Sequence, residues 1–537
     1  IYTLSLRDAL PILFESGRIY QPLAWTAQDA CRLLRDIPAL EACGVIVRAP
    51  EWWDPRSPPR PTVSVRLGDR QPSRLGPGAL LDFSLSVTVG DETLSGEELE
   101  ALLGSEGGLV SLRGRWVEVS RDALKEVLGH WKKVEKAAAR EGVPFSEAMR
   151  MMSGVALGGG EAARTAERVG AWSGVRAGAW LGETLARLRQ PEAEQGGLPC
   201  APDLCAPLRP YQETGVRWLH FLASLGLGGC LADDMGLGKT IQALALMLWL
   251  KREAAGHAPS LLVAPASLLA NWKNEARRFA PSLRLLIVHP AYADPLLLKR
   301  CEANPGAELS KVDLAVTTYG MVTRADWLAD VEWRLAVLDE AQAIKNAGTL
   351  QARAVKRLRA AARLALTGTP VENRISDLWS LFDFINPGLL GSARGFESFL
   401  RSREERPDAY APVRRLTRPY ILRRLKTDRA VIADLPDKTV VPAYCGLSQA
   451  QAALYAEQVR QLKRELEEGT EGDPMRRRAL ILTSLTRFKQ ICNHPAQALG
   501  DGDFSEARSG KFARLRALCE EVAERQDRAL VFTQYRE

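Results

Sequence analysis

The sequence has little of what marks a membrane or secreted protein. Among its 537 residues, the longest apolar helical stretch, from Ile241 to Leu250, falls well short of the ~20 residues that span a bilayer. No signal peptide is visible, although the chain begins with Ile1 rather than Met. These absences argue against a membrane-spanning protein, and we expect no membrane partner.

Cysteines are few and scattered. The nine of them form no CxxC pair. The two that are closest in sequence, Cys200 and Cys205, are too far apart for such a pair. Few cysteines without a secretory signal indicate reduced thiols in a cytoplasmic protein. Cys492 and His494 are near each other, but no second ligand pair is nearby. We interpret them as a packed thiol beside a hydrogen-bonded histidine rather than as a zinc site.

Charge of one sign is not in large excess. The chain has 72 Lys and Arg residues against 65 Asp and Glu residues, which gives a formal net charge of +7. A mild basic balance is compatible with a partner that carries a phosphate backbone. An Arg-rich composition from a GC-rich genome produces the same balance without such a partner, so charge alone identifies no class of function.

Two regions of different pattern flank a stretch rich in Pro, Gly and charge, which predicts a linker over residues 191–207. In residues 1–190, an alternating run from Phe83 to Gly90 predicts a strand, and Ser95 and Glu98 have the spacing of a capping box. After the linker, short apolar runs alternate with helical segments, which predicts an α/β sheet of parallel strands covered on both faces by helices. The runs are GGCLAD, SLLVAP, DLAVTTY, LAVLDE and RLALTGT.

The pattern becomes mostly helical beyond Pro370. Helical stretches extend to about Arg424 and again from Leu447 to His494. The run RALVFT, from Arg528 to Thr533, then predicts another buried strand.

A glycine-rich loop follows the first apolar run and leads into a helical stretch, the context that a phosphate-binding P-loop requires. Its glycines let backbone N–H groups point at phosphate oxygens, and the helix N-terminus adds its dipole. Lys239 would contact the β- and γ-phosphates, and the Thr240 hydroxyl would hold Mg²⁺. Asp233 stands where the general pattern has its first glycine. The predicted phosphate-binding residues are Asp234, Met235, Gly236, Leu237, Gly238, Lys239 and Thr240.

An acidic pair, Asp339 and Glu340, ends the run LAVLDE downstream of the P-loop. Because ligand chemistry gathers at the C-terminal ends of parallel strands, we expect this pair to face the nucleotide. Asp339 would bind Mg²⁺, and Glu340 would polarise the attacking water as general base. Such a pair is, by itself, as often a cap for the following helix. Together with the P-loop it predicts nucleotide hydrolysis.

Two more motifs belong to the same edge of the predicted sheet. Gln212, in LRPYQ, can pair its amide with a donor and an acceptor on adenine, which predicts a preference for ATP. Thr367, Gly368 and Thr369, in LTGTP, place two hydroxyls beside the site, where they can couple the γ-phosphate state to a neighbouring lobe.

The ordered motifs resemble the SWI/SNF-like ATPases of helicase superfamily two. The matching segments are LRPYQ, LADDMGLGKT, LLVAPASLLANWKNE, VTTYG, VLDEAQAIKN and LTGTPVEN. Three others, LWSLFDFINPGLLG, PYILRRLKTD and RFKQICNHP, are similar to segments that distinguish this family from ordinary helicases. Residues 1–190 resemble, more weakly, the helicase-associated accessory region that precedes the motor in bacterial members.

The resemblance implies RecA-like lobes, each a doubly wound parallel sheet with helical protrusions. Residues 208–436 would form the first lobe and its protrusion, and residues 437–537 a further protrusion with the start of a second lobe. The α+β accessory region would precede both. The implied cofactors are ATP and Mg²⁺, and the implied catalytic residues are Lys239, Asp339, Glu340 and Gln342.

The resemblance also implies contacts with one strand of duplex DNA. Small hydroxyl and amide groups suit phosphate contacts, which position a protein without reading sequence. For Trp272, packing in the core is an equally good interpretation. The implied DNA-contacting residues are Pro265, Ser267, Asn271, Trp272, Thr317 and Thr318.

The implied activity is that of a DNA-dependent ATPase. It would move along double-stranded DNA and remodel protein–DNA complexes without separating the strands, in the bacterial cytoplasm at the nucleoid. Its cargo would be RNA polymerase or another DNA-bound protein. One alternative is a nucleotide-switched binding module with slow hydrolysis, which the general base Glu340 argues against. Another is a strand-separating helicase, which the protrusion segments argue against.

Two later motifs of the family, with arginines that reach the γ-phosphate, are not present before Glu537. An arginine finger contributes about 10³ to 10⁵ in rate. We therefore expect the chain as given to stop within its second lobe, to bind ATP and to be nearly inactive.

Overall fold

Two units of unequal size make up the chain, residues 1–434 and residues 435–537. The computed structural model describes residues 25–54, 59–73, 76–90, 92–105, 107–155, 172–193, 197–199, 201–253, 258–368, 375–402, 410–432, 439–469 and 474–535.

Unit 1 contains all the strands of the described residues. These are β1 (Pro61–Leu67), β2 (Leu80–Leu81), β3 (Phe83–Val89), β4 (Glu92–Thr93), β5 (Gly108–Leu112), β6 (Arg115–Val119), β7 (Val143–Pro144), β8 (Ser173–Ala177), β9 (Gly229–Leu231), β10 (Ser260–Ala264), β11 (Leu285–Ile287), β12 (Leu314–Thr318), β13 (Glu332–Leu338), β14 (Arg359–Leu366) and β15 (Ile421–Leu422).

The helices alternate with these strands through most of unit 1. They are α1 (Ala27–Ala42), α2 (Gly96–Gly104), α3 (Arg121–Glu141), α4 (Phe145–Ser153), α5 (Ala179–Arg189), α6 (Pro210–Ser224), α7 (Lys239–Glu253), α8 (Leu269–Phe279), α9 (Pro295–Ala303), α10 (Pro305–Leu309), α11 (Tyr319–Val322), α12 (Leu350–Lys356), α13 (Ile375–Ile385), α14 (Ala393–Arg401) and α15 (Ala411–Thr417).

The centre of unit 1 is a seven-stranded sheet in the order β11-β12-β10-β13-β14-β9-β15, in which every pair is parallel. Strands β10 and β12 are buried along their whole length, because helices cover both faces and leave no polar side for alternation. The five predicted strands are confirmed, and the sheet is the doubly wound α/β fold expected of a RecA-like lobe. Strands β11 and β15, of three and two residues, were not predicted.

The accessory region has a sheet of its own, in the order β4-β3-β1-β8. Strand β1 pairs antiparallel with β3 and parallel with β8. The predicted capping box is confirmed, since the Ser95 hydroxyl accepts from Glu98 N and the Glu98 carboxylate accepts from Ser95 N. The region is therefore α+β, as expected.

Contacts with the helices after β14 join the accessory region to the lobe. Arg415 donates to the carbonyl of Ser153, at the end of α4, over 3.2 Å. Arg150, in the same helix, donates to the carbonyl of Gly388, and burial lowers the pKa of its guanidinium. Helix α5 packs against Arg418–Tyr420, the turn that leads into β15.

Unit 2 is helical in its described residues, with α16 (Gln449–Gly469), α17 (Pro474–Asn493), α18 (Pro495–Leu499) and α19 (Gly510–Glu524). Helices α16 and α17 pack through a ring contact of 4.7 Å between Tyr455 and Phe488. Both ring nitrogens of buried His494 have protein partners, Ala496 N and the carbonyl of Ser505. Its environment is that of a hydrogen-bonded core histidine.

The strand predicted from Arg528 to Thr533 is wrong for this structure. The segment forms no strand, and the Leu530 and Phe532 side chains are 85% and 90% exposed. An apolar run becomes a strand only where a neighbouring strand supplies hydrogen bonds and burial, and the described part of unit 2 contains no such neighbour.

Two further expectations from the sequence concern membrane-spanning helices and the state of the cysteines. No helix of the described residues has the length and apolar character needed to cross a membrane. The eight cysteines in the described ranges are free thiols.

Candidate functional site

The P-loop connects β9 to α7, and two of its glycines have conformations that other residues rarely adopt. Gly236 has a φ of 88° and Gly238 a φ of 78°. A Cβ at Gly238 would stand 2.4 Å from Nε2 of Gln212, so a larger residue would displace the Gln212 amide as well as adopt a strained φ. The loop thus curls tightly in front of the N-terminus of α7, where backbone N–H groups and the helix dipole favour an anion.

Lys239 is the first residue of α7 and turns back into this loop. Its Nζ donates to the carbonyls of Asp233 over 2.7 Å and Asp234 over 3.4 Å. Burial lowers the pKa of the ammonium, against the opposing attraction of several carboxylates, among them Glu340 and Asp339. The loop lysine and the acidic pair are therefore close enough for both carboxylates to act on the charge of the ammonium.

The start of α6 is tied to the same loop. The Tyr211 hydroxyl and Nε2 of Gln212 both donate to the carbonyl of Leu237, over 3.0 and 3.1 Å. Oε1 of Gln212 accepts from Arg209 N over 2.9 Å. Gln212 is buried, and its amide has protein partners on both sides, so adenine recognition by this residue stays a prediction.

Asp339 is buried at the end of β13 and is held by two N–H donors. The Trp272 indole donates to Oδ2 over 2.7 Å, and the Glu340 backbone N–H donates to Oδ1 over 2.9 Å. Burial raises the pKa of the carboxyl, while these donors and Lys239 act in the opposite direction. The Tyr319 hydroxyl fixes the backbone at this point, because it donates to the Asp339 carbonyl over 2.8 Å.

Glu340 has an unusual backbone conformation, with φ 48° and ψ 56° in the left-handed region. Only a few per cent of non-glycine residues adopt a positive φ. Its side chain makes no capping hydrogen bond to the short helix Ala341–Ile344 that follows. The cap interpretation of the acidic pair therefore has no support from Glu340, whose side chain is half-buried.

Thr367 and Gln342 connect two strand ends across the site. The Thr367 hydroxyl, at the end of β14, donates to Oε1 of Gln342 over 3.2 Å. Gly368 lies beside Met235 of the P-loop, since a Cβ on the glycine would stand 3.5 Å from Met235 Cγ. Thr369 lies outside the described residues.

The residues predicted to hold Mg²⁺ come from two elements. Thr240 lies in the first turn of α7, and Asp339 directly follows β13. No group of three or more His, Cys, Asp or Glu side chains in the described ranges could hold a metal by itself.

The structure divides the predicted DNA-contacting residues into two groups. Ser267 and Asn271 are exposed and Pro265 is half-buried, so all three are accessible to a partner at the surface. Trp272 and Thr317 are 1% and 0% exposed.

The expected DNA contact of Trp272 and Thr317 does not fit this structure. Their side chains point inward, to Asp339 and to the Val288 carbonyl. Thr318 is also buried, and its hydroxyl caps the short helix α11 by accepting from Met321 N. We therefore assign these three residues to the interior of the lobe.

Two residues that sequence reasoning did not assign belong to the site. Asp233, at the position of the missing P-loop glycine, is fully buried and forms an ion pair with Arg424. Tyr319 supports Asp339 from the end of β12. One sign of this ion pair was present in the sequence, which is the aspartate at the position of the missing glycine. A buried carboxylate in a phosphate loop requires a cation partner.

Comparison with known families matches most of the chain. The model of the SNF2-related domain matches residues 211–497, and the model described as SNF2 Helicase protein matches residues 18–152.

Individual relatives agree with this. The chain is 35% identical over 97% of its length to YwqA of Bacillus subtilis (strain 168), provisionally named an ATP-dependent helicase/translocase, and covers 56% of that protein. It is 34% identical over 61% of its length to the human SWI/SNF-related matrix-associated actin-dependent regulator of chromatin subfamily A member 1, of which it covers 32%. The chain thus spans about half the length of the first relative and less of the second.

A solved structure, the Sulfolobus solfataricus SWI2/SNF2 ATPase core in complex with dsDNA, is 41% identical. The match covers 62% of this chain and 68% of that one, with a TM-score of 0.41.

Proposed function

Since the chain belongs to the SNF2-related family, we propose that it is the motor part of an ATP hydrolase that is stimulated by double-stranded DNA. In this proposal the protein uses ATP to move along the duplex and to remodel protein–DNA complexes without separating the strands. Its place would be the nucleoid, within the cytoplasm.

The observation that carries the proposal is the convergence of three charged residues at one edge of the sheet. Lys239 follows β9, whereas Asp339 and Glu340 follow β13, two positions away in the strand order. Parallel strands present their C-terminal ends at one edge, where ligands bind in open α/β sheets. The electrostatic influence of both carboxylates on Lys239 supports a shared site for a nucleotide and its counter-ion.

Each residue has a role that follows from its chemistry and position. Lys239 would hold the β- and γ-phosphates with the loop N–H groups. Glu340 would accept a proton from the attacking water. Gln212 would pair with adenine. Gln342 and Thr367, which are hydrogen-bonded to each other, would sense the γ-phosphate state.

Magnesium fits the residues present. The buried carboxylate of Asp339 has a raised pKa, which a cation beside it would relieve, and Thr240 offers a hydroxyl from the neighbouring helix. Bound Mg²⁺ would neutralise charge on the phosphates during transfer. Trp272 and the Glu340 N–H would keep the carboxylate oriented toward that position.

DNA contact is proposed for the exposed part of the predicted set. Pro265 and Ser267 lie between β10 and α8, and Asn271 lies in the first turn of α8. The Ser267 hydroxyl and the Asn271 amide are suited to phosphates. Such contacts do not read sequence, so binding should weaken with salt and vary little between duplexes. The proposed cargo is a DNA-bound protein, with RNA polymerase as the first candidate.

The test is steady-state hydrolysis of ATP by the full-length protein, without DNA, with single-stranded DNA and with duplexes of unrelated sequence. Duplex should raise turnover many-fold, and a strand-displacement assay run in parallel should remain negative. Equal rates with and without duplex would leave only a nucleotide-switched binding module. Strand displacement would indicate a conventional helicase instead.

A further inference from the structure

Asp233 occupies the loop position at which the general P-loop pattern has a glycine, and its side chain is fully buried. The guanidinium of Arg424 meets it with two hydrogen bonds. Nε donates to Oδ1 over 2.9 Å, and a terminal nitrogen donates to Oδ2 over 2.5 Å. The Arg424 backbone N–H also donates to Oδ1, over 3.1 Å. Gln242 Nε2 also donates to Oδ2, over the longer distance of 3.3 Å, so Arg424 supplies three of these four hydrogen bonds to the carboxylate.

Arg424 also reaches the two helices that flank the loop. Its guanidinium donates to Oε1 of Gln242, in α7, over 2.8 Å, and to the backbone carbonyl of Tyr211, in α6. It stands 5.0 Å from the centre of the Tyr211 ring. One side chain therefore connects the loop, the helix that follows it and the helix that carries Gln212.

The backbone around Arg424 runs beside the strand that enters the loop. β15 pairs with β9, Ala232 N donates to the Leu422 carbonyl over 2.7 Å, and Asp234 N donates to the Arg424 carbonyl over 3.1 Å. Lys426 N in turn donates to Oδ2 of Asp234 over 3.0 Å. The chain continues from this segment toward unit 2, which begins at Leu435.

These contacts bear on the phosphate-binding lysine. The carbonyl of Asp233 accepts the 2.7 Å hydrogen bond from Lys239 Nζ, so the orientation of Asp233 and the position of the ammonium depend on each other. Because Arg424 fixes the Asp233 side chain, it also restrains the peptide that receives the lysine.

We infer that Arg424 is a positioning residue for the P-loop: through Asp233 it holds the loop in its nucleotide-binding conformation. The inference rests on the proposed nucleotide-binding function. By reciprocity, a nucleotide that orders the loop also orders the segment Ile421–Lys426.

The variants are chosen so that the protein still folds. Removing the arginine altogether would leave a buried carboxylate unpaired, which is strongly destabilising. Arg424→Lys keeps the positive charge but loses the planar fork that makes two parallel hydrogen bonds. Asp233→Asn keeps the shape of the partner and removes its charge. Arg423→Lys changes the exposed neighbouring arginine and is the matched control.

The experiment is a calorimetric titration of Mg²⁺–ADP into the 537-residue chain, with thermal unfolding measured for every variant. Wild type and Arg423→Lys should bind equally. Arg424→Lys and Asp233→Asn should each weaken binding by about 5-fold to about 100-fold while remaining folded at the assay temperature. Because both substitutions act through one contact, the double variant should bind Mg²⁺–ADP at most about 2-fold more weakly than whichever single variant binds it more weakly.

A second measurement reports the segment directly. Hydrogen exchange of residues 421–426 should slow when Mg²⁺–ADP binds to wild type, and this protection should disappear in Arg424→Lys at a nucleotide concentration that saturates the variant. A purely structural role would lower the unfolding temperature but leave both the affinity of the folded protein and the protection unchanged.

The failures are distinguishable. Unchanged affinity in folded Arg424→Lys, or additive losses in the double variant, would overturn the positioning role and leave nucleotide binding intact. Absence of Mg²⁺–ADP binding in wild type would overturn the proposed function, and the inference with it.

Discussion

The indole N–H of Trp272 donates a 2.7 Å hydrogen bond to the carboxylate of Asp339, and both side chains are buried. Trp272 lies in α8, which follows β10, and Asp339 directly follows β13, the neighbour of β10 in the sheet, so the bond joins the connections that leave two adjacent strands. A donor in this position supports a metal-binding carboxylate from behind.

Replacement of Trp272 by Phe tests this support. The variant keeps most of the ring volume but removes the indole N–H that donates to Oδ2, so Asp339 should be less well oriented and less readily ionised. Outer partners of metal ligands typically contribute 10-fold to 100-fold in metal affinity, and we expect a loss of about 10-fold or more. The measurement is the Mg²⁺ concentration that half-saturates ADP binding.

Trp333→Phe is the matched control, since Trp333 is also buried and donates to the Leu328 carbonyl over 2.8 Å, away from the site. It should be destabilised to a comparable degree without a change in Mg²⁺ requirement. Equal Mg²⁺ requirements in the two variants would contradict the role given to Trp272.

Glu340→Gln separates nucleotide binding from hydrolysis. The amide cannot accept the proton of the attacking water, and general bases contribute about 10² to 10⁴ in rate. Full-length protein with this change should bind Mg²⁺–ATP normally and lose turnover by that factor. Glu332→Gln, an exposed residue at the other end of β13, is the control and should retain both. Retained turnover in Glu340→Gln would remove the general-base assignment.

Backbone strain at the same residue makes a separate prediction. A non-glycine residue in the left-handed region costs about 1–2 kcal/mol, whereas glycine there costs about 0.5–1 kcal/mol in additional chain entropy. Glu340→Gly should therefore be as stable as wild type or slightly more stable, while hydrolysis is lost. Chemical denaturation of the 537-residue chain measures this. A loss of more than about 2 kcal/mol would show that the left-handed turn is not strained.

Thr367→Val tests the coupling between the two strand ends. The change keeps the shape but removes the hydroxyl that donates to Gln342. We expect ADP binding within about 2-fold of wild type, and duplex stimulation of the full-length ATPase reduced by about 2-fold to 10-fold, as for one hydrogen bond.

Thr317→Val is the control for this change. Thr317 is a buried threonine near the C-terminal end of β12, but it donates to the Val288 carbonyl instead. Duplex stimulation should be unchanged by it. A reduction as large as that of Thr367→Val would revive a role for Thr317 in DNA contact.

A stability prediction follows from Asp313, just before β12. Burial alone would raise its pKa, but hydrogen bonds from Arg284 and Lys251 outweigh this and hold the pKa below its ordinary value of 3.8. A carboxyl with a lowered folded pKa stabilises the protein above pH 3.8, and this contribution is lost as pH falls toward the folded pKa.

Asp313→Asn should therefore lower the free energy of unfolding at pH 7 by about 1.5–3 kcal/mol, with a smaller difference from wild type at pH 3. Urea denaturation at the two pH values measures it, with the exposed Asp330→Asn as control. A difference that grows toward low pH would contradict the assignment.

The sequence was sufficient for the local parts of the site. The P-loop could be predicted because strand, glycine turn and helix are consecutive, and its pairing with Asp339 followed because parallel strands share one ligand-binding edge. Strand β13 and the others around it were recognisable as apolar runs bounded by turns.

Contacts between distant residues were not predictable in this way. Arg424 is 191 residues from Asp233 in the sequence. Strand β15, which ends two residues before Arg424 and brings it beside the loop, has only two residues. In strands buried on both faces no alternation shows which side chains point inward, so Thr317 was assigned to DNA and not to the interior. For Trp272 the sequence left DNA contact and core packing equally open. The apolar run before Glu537 looked like a strand because local pattern does not report whether a pairing partner is present.

The most direct test of the central claim is a calorimetric titration of Mg²⁺–ADP into wild-type chain and into Lys239→Ala. If Lys239 and the acidic pair share a nucleotide site, wild type should bind one equivalent, and the variant should bind about 100-fold more weakly or not at all. Lys251→Ala, a change in the last turn of the same helix, should bind as wild type does. Equal affinity in wild type and Lys239→Ala would contradict the account.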